Sequence, residues 1–283
     1  MYKFIKYYCR DWRFWFKIII ALVALFGLLT NYLTNLLHLD KMIVTDSNNQ
    51  VTYLWAVYDQ TEAISHWNYA GYTIWWISFF TTQSNFLVLI WFVIAIICHR
   101  QEGIIKPLKT YFSLSVAVYI TVTCLIYNFV LLPGILKNKD LMWGPLQWTE
   151  QIILHVIVPI LTIIYIVIFA KQSPLVSTKQ FYQQKLGWYF IYPILYGVYG
   201  VIKGILCEYS GMHLKIAYQY FFLQITNPKA QGLPGIVWFI IAIVLISGII
   251  TAFGGLYHFS ILKVAKHHQQ SKNSGSKKKV EVL

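Results

Sequence analysis

The sequence predicts an all-α integral membrane protein, a bundle of six transmembrane helices with both termini in the cytoplasm. This prediction depends on the composition, on the grouping of apolar residues into long blocks, and on the distribution of Lys and Arg. Of the 283 residues, 58% are hydrophobic and 12% are charged, and the mean hydropathy is +0.56. Soluble domains are usually closer to about 45–50% apolar and about 25% charged. The composition is therefore typical of a membrane protein.

The apolar residues form six blocks, each long enough to cross about 30 Å of hydrocarbon at about 1.5 Å per residue. The predicted spans are residues 16–39, 72–98, 111–132, 149–170, 186–207 and 234–256. They predict one six-helix transmembrane domain, residues 1–262. The basic, low-complexity segment that follows, residues 263–283, is predicted to be a disordered cytoplasmic tail.

Basic residues alternate between the two sides of the predicted membrane. The terminal segments and the second and fourth loops contain 17 Lys and Arg, whereas the other three loops contain 5. Cytoplasmic loops carry an excess of these residues, so both termini are predicted to be cytoplasmic. The net charge of +13 thus reflects membrane topology, and no nucleic-acid partner is expected.

Polar residues inside the spans raise a functional question, because a membrane helix already satisfies its own backbone and its polar side chains need other partners. Five of them follow one another in the second span, from Thr81 to Asn85. Counted from the outer ends of the spans, the polar residues of five helices lie about 6–15 Å deep. The residues predicted to line a shared crevice that opens outward are Asn31, Asn35, His38, Gln151, Tyr196 and Tyr199. The alternative is that Ser and Thr bond their own helix and that Asn and Gln join neighbouring helices.

A hydroxyl nucleophile with a histidine base is one chemistry that such a crevice permits. His155 lies at the same predicted depth as the threonines, and a backbone carbonyl or an Asn could orient its ring. Asn85, Asn128 and Lys203 are candidates to stabilise an oxyanion or to orient the reacting groups. No Asp or Glu is predicted deep inside a span, and His155 has no metal-ligand neighbour at a suitable spacing. No metal and no cofactor are therefore expected.

Four motifs on successive helices carry a resemblance to a known family. They are "FFTTQSNFLVLIW" (79–91), "IYNFVLLP" (126–133), "ILHVIVPIL" (153–161) and "YPILYGVYGVIKG" (192–204). Together they resemble the bacterial six-helix membrane proteins related to the animal androgen-induced membrane proteins, whose members hydrolyse fatty-acid esters of hydroxy fatty acids. The resemblance covers residues 72–207 and implies a multi-pass protein of the bacterial plasma membrane.

The resemblance implies site residues as well. The animal relatives use a Thr in a Thr-x-x-Asn or Thr-x-x-Asp motif and a His about one turn before a Pro, which Thr82 and His155 match. The bacterial relatives have Thr-x-Gln-Ser-Asn, which makes Thr81 the alternative nucleophile. Relatives often carry Tyr-Pro-Phe-Leu after the fifth helix, whereas residues 218–223 here read "YQYFFL", without the proline.

Two functions follow as hypotheses. The first is an intramembrane threonine/histidine hydrolase of lipid esters, acting in the outer half of the bilayer on a lipid-like substrate that enters sideways from the outer leaflet. The second is a non-catalytic protein that binds or transports a lipid or a small solute in the same crevice. The sequence has neither an internal repeat nor an evident broken helix, which are features of many transporters.

Overall fold

The structure, a computed structural model, describes residue 8 and residues 10–45, 50–137 and 143–280, and for residues 267–280 it describes the helix but not the side chains. Its helices are α1 Trp12–Leu36, α2 Tyr69–Ile77, α3 Phe80–Ile97, α4 Thr110–Leu136, α5 Pro145–Phe169, α6 Thr178–Gln184, α7 Trp188–Tyr209, α8 Leu214–Ala217 and α9 Gly235–Val280. The three π-helical turns are Tyr127–Leu131 in α4, and Ile153–Ile157 and Tyr165–Phe169 in α5.

Six helical segments in the described part of the chain are long and apolar enough to cross a membrane. They are Trp12–Leu36, Phe80–Ile97, Thr110–Leu136, Pro145–Phe169, Thr178–Tyr209 and Gly235–Lys266. The prediction of a multi-pass helical membrane protein is thus confirmed. The side of the membrane on which the termini lie stays a prediction.

The second predicted span is not continuous. The chain is helical up to Ile77, Phe79 is extended with φ −73° and ψ 134°, and α3 starts at Phe80. The expectation of one unbroken helix over residues 72–98 is therefore wrong. The break lacks the Gly or Pro that usually marks one. Backbone groups at the start of α3 bond side chains from distant parts of the chain, so the break depends on tertiary contacts.

The C-terminal segment also differs from the prediction. The last helix, α9, continues to Val280, so most of the tail that was predicted to be disordered is helical. Its Lys and Gln residues have high helix propensity, and no proline interrupts it. Residues 281–283 lie outside the described part of the chain.

The loop that follows α1 forms two small antiparallel hairpins, which the all-α prediction did not include. In the first, β1 (Ile43–Thr45) pairs with β2 (Val51–Tyr53). In the second, β3 (Ala56–Tyr58) pairs with β4 (Ile64–Trp67). Trp55, between the hairpins, is buried in a cluster with Leu39 and Tyr72. The hairpins therefore cover one end of the bundle.

The opposite end of the bundle is held by a buried ion pair. Lys17 Nζ of α1 lies 2.9 Å from Glu102 Oε2, and both side chains are almost completely buried. Tyr165 of α5 donates a hydrogen bond to the same carboxylate, with its hydroxyl 3.0 Å from Oε2. This contact joins α1, the loop after α3, and α5 on the face that carries the basic loops.

The core lies mainly among α3, α4 and α5, against which α1 packs. Gly27 permits this approach, because a Cβ at that position would lie 2.7 Å from Ile153 Cγ2 on α5. In contrast, α7 and α9 bury the smallest share of their apolar windows inside the protein. Much of their surface therefore faces lipid, and the space between them opens toward it.

Candidate functional site

The polar run from Thr81 to Asn85 lies at the start of α3, where a helix has backbone N–H groups without helical partners. The N–H of Phe80 donates to the Tyr196 hydroxyl at 3.1 Å. The N–H of Thr81 lies 3.3 Å from the Tyr220 hydroxyl. The polar run therefore marks a helix start inside the bundle, which explains why it tolerates a membrane environment.

Two backbone carbonyls of α5 near His155 have no hydrogen-bond donor within their own helix. In the π-helical turn the N–H of Val158 bonds the carbonyl of Ile153, five residues back, instead of that of Leu154. Pro159 has no N–H to offer to the carbonyl of His155. The carbonyls of Leu154 and His155 therefore need partners from other helices.

Asn85 and Asn128 provide these partners. The Asn85 amide donates to the Leu154 carbonyl at 3.2 Å, and the Asn128 amide donates to the His155 carbonyl at 3.1 Å. Their second amide protons bond carbonyls of their own helices, at Thr81 and Cys124. An Asn amide has two protons. In this structure both protons of each amide bond backbone carbonyls, so each Asn ties α5 to its own helix.

His155 is buried and oriented. Its Nδ1 lies 2.9 Å from the Gln151 carbonyl, which can only accept, so Nδ1 carries the proton and Nε2 the free lone pair. Its ring is stacked on Tyr127 with the centroids 3.5 Å apart. Gln151 thus orients the His155 ring through its backbone carbonyl. The arrangement supplies the tautomer that a general base requires.

The two threonines differ in their surroundings. Thr82 is buried and lies three residues before Asn85, the residue that bonds the α5 backbone next to His155. Thr81 is less buried and lines a pocket on another side of α3. Among the described residues, no hydrogen bond joins His155 to either threonine. The structure therefore places Thr82 and His155 on neighbouring helices but not in contact through a hydrogen bond.

Lys203 and two tyrosines of α7 form hydrogen bonds to neighbouring elements of the bundle. Lys203 Nζ donates to the carbonyls of Ile216 and Ala217, both at 3.0 Å, and so ties α7 to α8. Tyr196 donates to the Ser78 carbonyl at 3.0 Å, while the Tyr199 hydroxyl lies 2.9 Å from Ser78 Oγ. The tyrosines thereby stabilise the break between α2 and α3.

The predicted crevice residues of α1 divide into two kinds. Asn31 donates to Glu150 Oε1 at 2.8 Å and accepts from the Trp76 indole at 2.7 Å. Asn35 and His38 instead bond carbonyls of their own helix, those of Asn31 and Thr34. The contacts of these three residues are thus with Glu150, Trp76 and the backbone, and the shared crevice that opens outward stays a prediction.

Glu150, which lies at the end of a predicted span, is a buried carboxylate in the structure. Its side chain is 1% exposed. Its Oε2 has no hydrogen-bond partner among the described residues, and the same holds for the buried hydroxyls of Tyr72 and Tyr127. A Glu near a helix end is usually solvated, so the sequence contained no signal of this burial.

An apolar pocket of about 310 Å³ lies between α3, α4, α7 and α9. The residues with hydroxyl groups in its lining are Thr81, Thr123, Tyr196, Tyr220 and Ser247, while Thr82 and His155 do not line it. Burial raises the pKa of Tyr220, which lies outside the spans, to about 12, so its hydroxyl stays protonated at neutral pH. The apolar wall includes Ile126, Phe190, Pro193, Phe239, Ala242 and Ile246.

The pocket reaches the lipid-facing surface. Ile194 and Val198 of α7 and Ile243 of α9 line it, and each of them is also exposed on the outside of the bundle. An opening between α7 and α9 therefore leads sideways.

As for metals, no group of three or more His, Cys, Asp or Glu in the described part of the chain could hold an ion.

The comparisons with known proteins give a distant relative. The chain is 29% identical over 174 residues to a protein of Mycoplasma pneumoniae (strain ATCC 29342 / M129 / Subtype 1) whose name is "Uncharacterized protein MG452 homolog". The match covers 59% of this chain and 64% of the relative, so it spans less than two thirds of that protein. No protein-family profile matches the chain. No solved structure matches it either.

Proposed function

We propose that this protein binds the acyl chain of a lipid in the pocket between α3, α4, α7 and α9. The observation that carries the proposal is the pocket itself, about 310 Å³ in volume, apolar along its walls and open toward lipid. Ligand pockets are mostly apolar, with a few polar groups that fix the orientation of the ligand. Thr81 and Tyr220 are such groups here, and they suit an ester, a hydroxyl or a carboxylic acid at one end of the chain.

The broken second span supports binding or transport over a purely structural role. Irregular backbone at membrane depth is tolerated where protein buries it or where it borders a cavity, and many transporters bind their substrates at such breaks. Here the first residues of α3, Phe80 and Thr81, form part of the pocket wall. The expected partners are thus membrane lipids, in the plasma membrane of a bacterium.

Filling the pocket tests the proposal. Ile246→Trp places an indole in the pocket, whereas Ile240→Trp makes the same change on the lipid-facing side of α9, away from the pocket lining. Purified protein in nanodiscs is irradiated with a diazirine-labelled fatty-acid ester. We expect cross-links on α7 and α9 that Ile246→Trp greatly reduces and Ile240→Trp leaves unchanged. Equal cross-linking in both variants would refute the proposed site.

Hydrolysis of a lipid ester is a second candidate, which the orientation of His155 favours. In this reaction the Thr82 hydroxyl attacks the ester carbonyl while His155 Nε2 takes its proton. The alcohol leaves with that proton, and water then releases the fatty acid from the threonine ester. The reaction requires Thr82 and His155 to move into hydrogen-bond contact when substrate binds.

Activity measurements on single variants test this candidate. Turnover of a fatty-acid ester of a hydroxy fatty acid and labelling by a fluorophosphonate should be abolished in His155→Ala and in Thr82→Ala. Thr81→Ala should only reduce them, because Thr81 lines the pocket but would not react. If Thr81→Ala abolished turnover and labelling while Thr82→Ala only reduced them, Thr81 would be identified as the nucleophile. Full turnover in all three variants would eliminate the threonine/histidine mechanism, whereas no turnover in the unsubstituted protein would leave lipid binding alone.

A further inference from the structure

A second concavity lies on the other side of α7 from the pocket. It is a groove of about 830 Å³ on the surface between α3, α4 and α7, with apolar walls that include Phe86, Ile90, Phe112 and Ile191. A row of aromatic rings separates it from the pocket: Tyr192 contacts both Phe80 and Tyr119, with centroids 5.3 and 5.1 Å apart. The groove is therefore a site distinct from the pocket of the proposed function.

One end of the groove carries a positive charge. Lys185 lines it, and its Nζ lies 5.5 Å from the centroid of the Tyr111 ring. Within the described part of the chain, Lys185 forms no ion pair with an acidic side chain. Trp188, next to it, is 69% exposed, and exposed Trp residues favour the level of the lipid headgroups. This end thus offers an uncompensated cation at the headgroup level of the face with the basic loops.

The length and the far end of the groove suit one leaflet. From Tyr111 to Tyr119 the helix α4 rises by about 12 Å, close to the thickness of half the hydrocarbon core. At the far end Tyr192 donates a hydrogen bond of 2.7 Å to Gln83, which gives this end of the groove a polar contact. A lipid chain that starts at Lys185 would therefore end near the middle of the bilayer.

We propose that this groove binds an anionic phospholipid of the leaflet on the basic face, with its phosphate at Lys185 and one acyl chain between α3, α4 and α7. A Lys ammonium binds phosphate as a point charge, and the apolar walls accept the chain. The charge at one end selects an anionic lipid over a zwitterionic one. The site does not depend on the lipid or on the reaction of the first pocket.

Lipid selectivity tests the proposal. Full-length protein is equilibrated in nanodiscs with equal amounts of phosphatidylglycerol and phosphatidylcholine, and the retained lipids are counted by native mass spectrometry. We expect phosphatidylglycerol to be preferred. Lys185→Gln should lower the preference about fivefold, the effect of one lysine contact with an anionic lipid. Lys185→Arg should preserve it, because the charge remains.

A matched control separates the groove from general surface charge. Lys179 is exposed on α6 and does not line the groove, so Lys179→Gln should leave the preference unchanged. Ser115→Trp, which fills the groove without changing the charge, should reduce retention of phosphatidylglycerol. Ile246→Trp in the first pocket should have no effect. Unchanged preference in Lys185→Gln, or an equal loss in Lys179→Gln, would overturn the proposal.

Discussion

Glu150 is a buried carboxylate that has no basic partner among the described residues. Asn31 bonds one carboxylate oxygen, while the other has no described partner and no basic side chain forms an ion pair with Glu150 in the described part of the chain. A buried carboxylate without a compensating charge is unfavourable in its ionised form. Its replacement by a neutral group of the same shape should therefore cost little.

We predict that Glu150→Gln keeps or raises the free energy of unfolding in detergent, because the Gln carbonyl still accepts from Asn31 and the charge is gone. Glu150→Ala should lower it by about 1–3 kcal/mol, since the buried Asn31 amide loses its partner. Thermal unfolding of the two variants measures the difference. If Gln destabilises as much as Ala, the negative charge itself is needed, and a bound cation becomes the explanation.

The helix α5 owes its shape around His155 to a π-helical turn and a proline, which together free the carbonyls of Leu154 and His155. We predict that Asn128→Ala lowers the free energy of unfolding by about 1–3 kcal/mol, because the His155 carbonyl is then buried without a donor. In a Pro159→Ala background the restored N–H can bond that carbonyl. In that background, Asn128→Ala should lower the free energy of unfolding by clearly less.

A double-mutant cycle of Asn128→Ala and Pro159→Ala measures this coupling by thermal unfolding in one detergent. The matched comparison is Asn85→Ala, because Asn85 bonds the Leu154 carbonyl, which the N–H of residue 159 does not reach in a regular α-helix. Pro159→Ala should therefore leave the loss of unfolding free energy in Asn85→Ala unchanged. Additive effects of Asn128→Ala and Pro159→Ala would show that the amide does not replace the missing helical hydrogen bond.

The bundle as a whole has two chemically different ends. One carries the hairpins and the segment between α7 and α9, where Ile216 joins the cluster around Trp55. The other holds the Lys17–Glu102 ion pair and the contact of Thr110 with Ser173. The distribution of basic residues predicts that the second end is cytoplasmic.

We predict that Lys41 and Lys229 react with a membrane-impermeant amine reagent in intact cells, whereas Lys106 and Lys179 react only after lysis. All four side chains are exposed in the structure, so accessibility depends on the membrane alone. Peptide mass spectrometry identifies the labelled residues, and lysed cells give the maximum labelling. Labelling of Lys106 and Lys179 in intact cells would invert the topology. Lys3 and Lys277, on the side predicted to be cytoplasmic, should also be shielded in intact cells, and their side chains lie outside the described part of the chain.

Hydropathy by itself determined the multi-pass class and the approximate positions of the six spans, while the assignment of loops to two sides stays a prediction from charge. These properties are local, because insertion into lipid depends on the apolar length of each segment and on the basic residues that flank it. The motif residues could also be named, and Thr82, Ser84 and Asn85 of the polar run are buried. That this run contains a nucleophile, as the family resemblance implies, stays a prediction.

Only the tertiary structure decided how these residues are used. The break before Phe80 exists because hydroxyls of Tyr196 and Tyr220, more than a hundred residues away, replace the helical partners of the first N–H groups. The burial of Glu150 depends on Asn31 across the bundle. Hydrogen bonds between distant helices have no signature in a local window, because the groups that they satisfy become unpaired only after the helices bend and pack.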